Sequence, residues 1–152
     1  ISAARPKIAA YPFTTLSPNL GVVRFGEYRS FVMADMPGLI QGAHLGKGLG
    51  DEFLRHIERT RVLLHLVDVS PAAETDPITA HDTLRNEIRL YSPALLERPS
   101  LVVANKLDML GAEETAARLE RHVGRPVPRI SALIGKGLSE LLGELKKLLE
   151  KK

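Results

Sequence analysis

Cysteine is absent from the 152 residues, so neither a disulfide nor a thiolate metal site can form. That lack suits a reducing, cytoplasmic setting. Tryptophan is absent too, and aromatic residues make up only 5%, which argues against stacking on single-stranded bases. No apolar run approaches the roughly 18 residues of a membrane span, and no n-region and h-region pair resembles a secretory signal. A net charge of +3 is too mild to argue for nucleic acid by itself. The phosphate cradle G-x-x-x-x-G-K-[ST] is also missing. Gly46-Lys47 and Gly135-Lys136 lack both the upstream glycine at the right spacing and the following Ser or Thr. The chain opens at Ile1-Ser2-Ala3-Ala4 without a methionine, and it is expected to be part of a longer protein. What is present, 44% hydrophobic and 26% charged residues, suffices for one globular domain with a sizeable core.

The stretch Phe31-Val32-Met33-Ala34-Asp35-Met36-Pro37-Gly38 is an apolar run that ends at a carboxylate, after which Pro-Gly turns the chain. It reads as a fully buried strand with chemistry at its carboxyl end. A carboxylate there can hold a Mg²⁺ water, and the Gly38 N–H can approach a terminal phosphate. Val22 to Phe25 and Ser30 to Asp35 predict a hairpin with a four-residue turn, Gly26-Glu27-Tyr28-Arg29. A loop containing Gly42, Gly46, Gly48 and Gly50 follows, then a helix from Asp51 to Arg59. Val62–Asp68 reads as a buried strand, with His65 as a hydrogen-bonded core histidine rather than a ligand. Further on, the pattern predicts a helix over 78–91, a strand over 101–104 and a helix over 113–122. A short strand over 127–130 and a Leu-rich helix over 138–152 complete it.

Strand and helix alternate from residue 30 onward, which predicts an α/β fold with a mostly parallel sheet. Asp35, Asp68, Asn105 and Ser131 each fall at or just past a strand's carboxyl end. Such ends share one rim, where ligands bind. One reading of that rim is a dinucleotide enzyme, because Asp68 lies 18 residues after Gly50. It fails on detail. The glycines are spaced G-x-G-x-G, and loop intervenes between the strand and the helix, whereas the fingerprint needs a tight turn directly off the strand.

The other reading is guanine recognition. Asn105-Lys106-Leu107-Asp108 is an N-K-x-D run at a strand end. An ionised Asp accepts two hydrogen bonds at once, matching the two adjacent N–H donors on guanine's edge. Adenine has an acceptor and no amino group there. Lys106 can lay its aliphatic stem over the base plane, while Asn105 ties neighbouring loops together. Ser131-Ala132-Leu133, at the next strand end, can offer a backbone N–H to the guanine carbonyl.

Taken together these residues resemble a P-loop GTPase of the Obg family, translation-factor class, over essentially the whole chain. Tyr11-Pro12-Phe13-Thr14-Thr15-Leu16, with Ser17 and Pro18-Asn19-Leu20-Gly21-Val22, resembles the family's first switch. Asp35-Met36-Pro37-Gly38-Leu39-Ile40, with the glycine loop and Leu54 to Thr60, resembles its second switch and following helix. The DRG group shares much of the first motif and is the nearest rival. The resemblance implies a three-layer, Ras-like G domain across 1–152, with one antiparallel strand from the 21–35 hairpin. It also implies that the first strand, the P-loop and most of the first helix are missing, so that these 152 residues alone should hold triphosphate poorly. Phe13 to Ser17, Asp35 to Gly38, Asn105 to Asp108 and Ser131 to Leu133 would contact GTP or GDP. Thr15 would coordinate Mg²⁺ directly and Asp35 through water.

Where many GTPases place a glutamine after D-x-x-G, this chain has Leu39, which cannot hydrogen-bond water. The resemblance therefore implies slow turnover assisted by K⁺, another loop or a partner, and no catalytic residue is assigned. Gln41 and His44 read as solvated loop residues. A ribosomal subunit or rRNA is the expected partner, and Lys47, Arg55, His56, Arg59 and Arg61 form a basic set near the second switch. The alternative is a module that senses guanine nucleotide or a guanine alarmone, with incidental hydrolysis. Nothing in the sequence fixes the oligomeric state.

Overall fold

A computed structural model describes residues 19–25, 29–35 and 58–150. The chain divides into two compact units, Ile1–Arg59 and Thr60–Lys152. The first switch up to Pro18, the 36–57 stretch with Gly38, the glycine loop and most of the expected 51–59 helix lie outside the described residues.

In the first unit, β1 (Asn19–Phe25) pairs antiparallel with β2 (Arg29–Asp35), in a register that sets Asn19 against Asp35 and Phe25 against Arg29. Three residues separate the strands, one fewer than the turn the sequence suggests. β1 begins immediately after Pro18, a residue that cannot donate to a ladder. The strand includes Asn19, Leu20 and Gly21, which propensity alone leaves out, because they pair with Asp35, Ala34 and Met33 of β2. β2 is not the fully buried strand its apolar run suggests, since Val32 is 64% exposed. It belongs to an antiparallel pair, whose two faces need not both be covered.

In the second unit, β3 (Leu63–Asp68) runs parallel to β4 (Ser100–Asn105), with Asp68 opposite Asn105 at the carboxyl ends. Between them lie helix α1 (Pro77–Tyr91) and a 3-10 turn over Pro93–Glu97. Asp76 caps α1, its Oδ2 accepting the N–H groups of Ile78 (3.1 Å) and Thr79 (3.3 Å), with Pro77 in the first turn where no N–H is needed. Helix α2 (Ala112–Val123) starts and stops at left-handed glycines, Gly111 and Gly124. Glu113 and Glu114 sit at its positive end, Arg121 and His122 at its negative end.

The expected 127–130 strand contracts to one parallel bridge, Ala104 to Arg129. Pro126 and Pro128 lack the N–H groups a longer ladder would use. Two bonds still hold the segment against β4: Ala104 N–H to the Pro128 carbonyl (2.9 Å) and Ile130 N–H to the Ala104 carbonyl (2.8 Å). Helix α3 (Leu138–Glu150) buries Leu141 and Leu145, one turn apart.

The core lies between the parallel pair and α2. Val67, Val69, Val102 and Ala104 meet Ala112, Ala116, Leu119 and Val127, with Leu107 and Val123 packed at the margin. Leu119 is fully buried, worth roughly 2 kcal/mol in apolar area. Because Leu107 sits on this core, the loop that follows β4 is anchored from inside. Its polar neighbours Lys106 and Asp108 are left outward.

Candidate guanine-nucleotide site

At the carboxyl ends of β3, β4 and the 128–131 segment, three of the four polar strand-end residues converge. Asp68 and Asn105 are register partners, and Ser131 follows the segment bonded to β4. The fourth, Asp35, closes β2 of the first unit with its side chain exposed.

The loop after Asn105 is tied down by backbone bonds from Leu107 N–H to the Ile130 carbonyl (3.0 Å) and Met109 N–H to the Lys106 carbonyl (3.0 Å). Lys106 itself adopts φ +70°, the left-handed region that a non-glycine residue enters at a cost of about 1 kcal/mol. Strain of this kind persists only where surrounding bonds over-determine it. Here those bonds and the Leu107 anchor do so.

Asn105 ties neighbouring loops together. Its Oδ1 accepts the Ala132 N–H at 3.0 Å, and its carbonyl accepts the Val69 N–H at 3.1 Å. Ser131 is fully buried and donates its hydroxyl to Asp108 Oδ1, while its oxygen accepts the Ile134 N–H at 3.4 Å. This holds one oxygen of an exposed carboxylate and leaves the other free to face a ligand. The Ser131 N–H goes to the Lys136 carbonyl (3.0 Å), closing a loop whose left-handed Gly137 packs on Arg129. A Cβ at Gly137 would collide with the Arg129 carbonyl oxygen. Leu133 is 85% exposed.

Residues 1–106 match the family model described as 50S ribosome-binding GTPase, which is more than half of the chain. The chain belongs to that family. Within it, the sequence is similar to the GTPase Obg of Desulforudis audaxviator (56% identical over 152 residues) and to that of Syntrophomonas wolfei (54% over 150 residues). Each alignment covers 99% of this chain and 36% of the relative, so the chain spans about a third of the curated relatives' length. A solved structure of Era from Aquifex aeolicus bound to GDP·AlF4⁻ superimposes with a TM-score of 0.65 at 25% identity. It covers 91% of this chain and 46% of that one. The G domain of the Thermotoga maritima FeoB transporter superimposes with a TM-score of 0.61 at 19% identity, covering 93% and 82%. Both neighbours are P-loop GTPase domains, and the fold is the mixed α/β one of that class.

One polar contact in this member of the family is not evident from its motifs. Lys106 Nζ lies 2.5 Å from Asp68 Oδ2, and Asp68 Oδ1 accepts the Ser70 N–H at 2.9 Å. Partial burial pushes the Asp68 carboxyl upward, but hydrogen bonds from Lys106 and Ser70 outweigh it and hold the group below its usual range. The Asp68 partner raises the Lys106 ammonium in turn. The sequence marks Asp68 as a strand-end acid. It does not show which cation the register sets beside it.

Among the described residues no group of three His, Cys, Asp or Glu could hold a metal. Asp35 supplies an exposed carboxylate oxygen, the donor type Mg²⁺ prefers. Thr15, its expected companion, lies outside the described residues.

Proposed function

We propose that this chain forms the greater part of a G domain that binds GTP and hydrolyses it slowly, with Mg²⁺, as a switch on a ribosomal particle. The observation that carries the reading is the constellation at the end of β4. Asp108 is held by buried Ser131, Asn105 is bonded to the 131–132 loop, and the half-exposed Lys106 side chain ends on Asp68. An exposed, oriented carboxylate suits two adjacent N–H donors on one edge of a planar base. The Ala132 N–H, now on Asn105, is the group a guanine carbonyl would approach, with Leu133 beside it. Leu107 contributes from below by anchoring the loop.

In this reading Phe13, Thr14, Thr15, Leu16 and Ser17 serve as the first switch, and Asp35, Met36, Pro37 and Gly38 as the second. Thr15 and Asp35 would hold Mg²⁺, the latter through water. The ion's chemistry is charge neutralisation on the phosphates. K⁺ or a partner would compensate for Leu39 in place of a glutamine. The family's description as 50S ribosome-binding GTPase supports ribosome association, and a cytoplasmic setting is part of the same reading. No described helix is long and apolar enough to cross a membrane.

Leu39 also favours the second reading, a module that senses GTP, GDP or an alarmone with little turnover. Multiple-turnover phosphate release by the full-length protein, with and without large ribosomal subunits, separates the two. The switch predicts a rate that rises with subunits. A flat rate alongside nucleotide-dependent subunit binding would favour the sensor.

A further inference from the structure

We propose that Asp68 is a positioning residue for the guanine base: its carboxylate pins the Lys106 ammonium so that the aliphatic stem lies ready beneath the base plane. The inference rests on the guanine reading above and adds a residue outside the N-K-x-D run.

Three observations carry it. Parallel register places Asp68 opposite Asn105, the residue before Lys106, so the carboxylate sits one step from the lysine it holds. The carboxylate is itself oriented, since Oδ1 takes the Ser70 N–H at 2.9 Å and leaves Oδ2 on Lys106 Nζ at 2.5 Å. The third is space. A hollow of about 400 Å³ opens beside the pair, lined by Asp68, Ala72, Ala73, Glu74, Thr75 and Lys106 among others.

A long lysine side chain with 54% of its surface exposed has many rotamers, and ordering it on ligand binding weakens affinity. Glu74 lines the same hollow, so a second carboxylate is present there besides Asp68. Asp68 therefore decides which way the stem lies before any nucleotide arrives. The ion pair is solvent-reached and contributes little to fold stability. Its effect is on affinity, through order already present in the free protein.

The test uses GDP and inosine diphosphate titrated calorimetrically into the full-length protein. Asp68→Asn keeps an oxygen for the Ser70 N–H and removes the charge that holds Lys106. A residue serving only the loop would be indifferent to that change. Asp68→Asn is expected to weaken GDP about fivefold, and inosine diphosphate by the same factor, because the 2-amino contact belongs to Asp108. Asp68→Glu should recover part of the loss. Lys106→Met should weaken GDP at least as much as Asp68→Asn, and the double variant should match Lys106→Met alone. Losses that add, or Asp68→Asn within twofold of the parent, would overturn the proposal. Failure of the parent protein to bind GDP would instead overturn the guanine reading itself.

Discussion

Asp108→Asn is expected to turn the base preference of the full-length protein from guanine towards xanthine, changing the ratio of the two affinities by about a thousandfold. The direction follows from how Asp108 is held. Ser131 is buried, its oxygen accepts the Ile134 N–H, and its proton is donated to Asp108 Oδ1. In the variant, the amide oxygen is the natural partner for that hydroxyl, which leaves the amide nitrogen in the place of Oδ2, facing the base. Two donors then oppose each other at the guanine amino group, whereas xanthine presents a carbonyl there. The size follows from leaving a desolvated polar group unpaired, the most effective source of discrimination between similar ligands. Competition between GDP and xanthosine diphosphate measures it. An unchanged ratio would remove Asp108 from the site.

The second large effect is on stability in acid and comes from the middle of the same strand pair. His65 on β3 faces His81 on α1, with the two Nδ1 atoms 3.3 Å apart and the rings stacked. Only one proton fits between two such nitrogens, so both rings cannot be charged at once in this geometry. Burial, and then the neighbouring His81, lowers His65 from 6.5 to about 4. Around His81 stand Asp82, Arg85, His122 and Arg125. The carboxylate of Asp82 is bonded to His122 at 2.8 Å, and its charge opposes but does not cancel the lowering of His81.

Since the folded pKa of His65 lies below the unfolded value, the unfolded chain takes up the proton first as pH falls. The contribution is complete above about 6.5 and is lost between 6.5 and about 4. Its size at full protonation is about 3 kcal/mol, from the value of one pKa unit. Urea midpoints at pH 7, 5.5 and 4.5 should fall more steeply for the natural protein than for His65→Phe. The slope is the readout, because the substitution also removes a partner from His81 at every pH. Parallel slopes would contradict the assignment.

How much of this was legible in the sequence differs between the pieces. The strand ends at Asp68, Asn105 and Ser131 were readable because each closes an apolar run, and a parallel sheet must gather such ends. The pairing of Asp68 with Lys106, and of His65 with His81, was not. Both depend on register and helix rotation, which hydrophobic periodicity does not determine. The role of Asn105 as a tie between loops was predicted from its position. That its partner is the Ala132 N–H required the bridge between Ala104 and Arg129. The 127–130 segment forms less strand than its apolar pattern suggests, because two prolines leave the ladder without donors. The exposed face of β2 is not legible for a related reason: an apolar run shows what can be buried, not what covers it.

The claim on which the rest depends is that the oriented carboxylate of Asp108 reads a guanine edge. Competition calorimetry on the full-length protein, with GDP against ADP, tests it most directly. Adenine brings no amino group to Asp108 and turns a ring-nitrogen acceptor towards it, so GDP is predicted to bind at least about a thousandfold more tightly. ADP binding within tenfold of GDP would contradict the account.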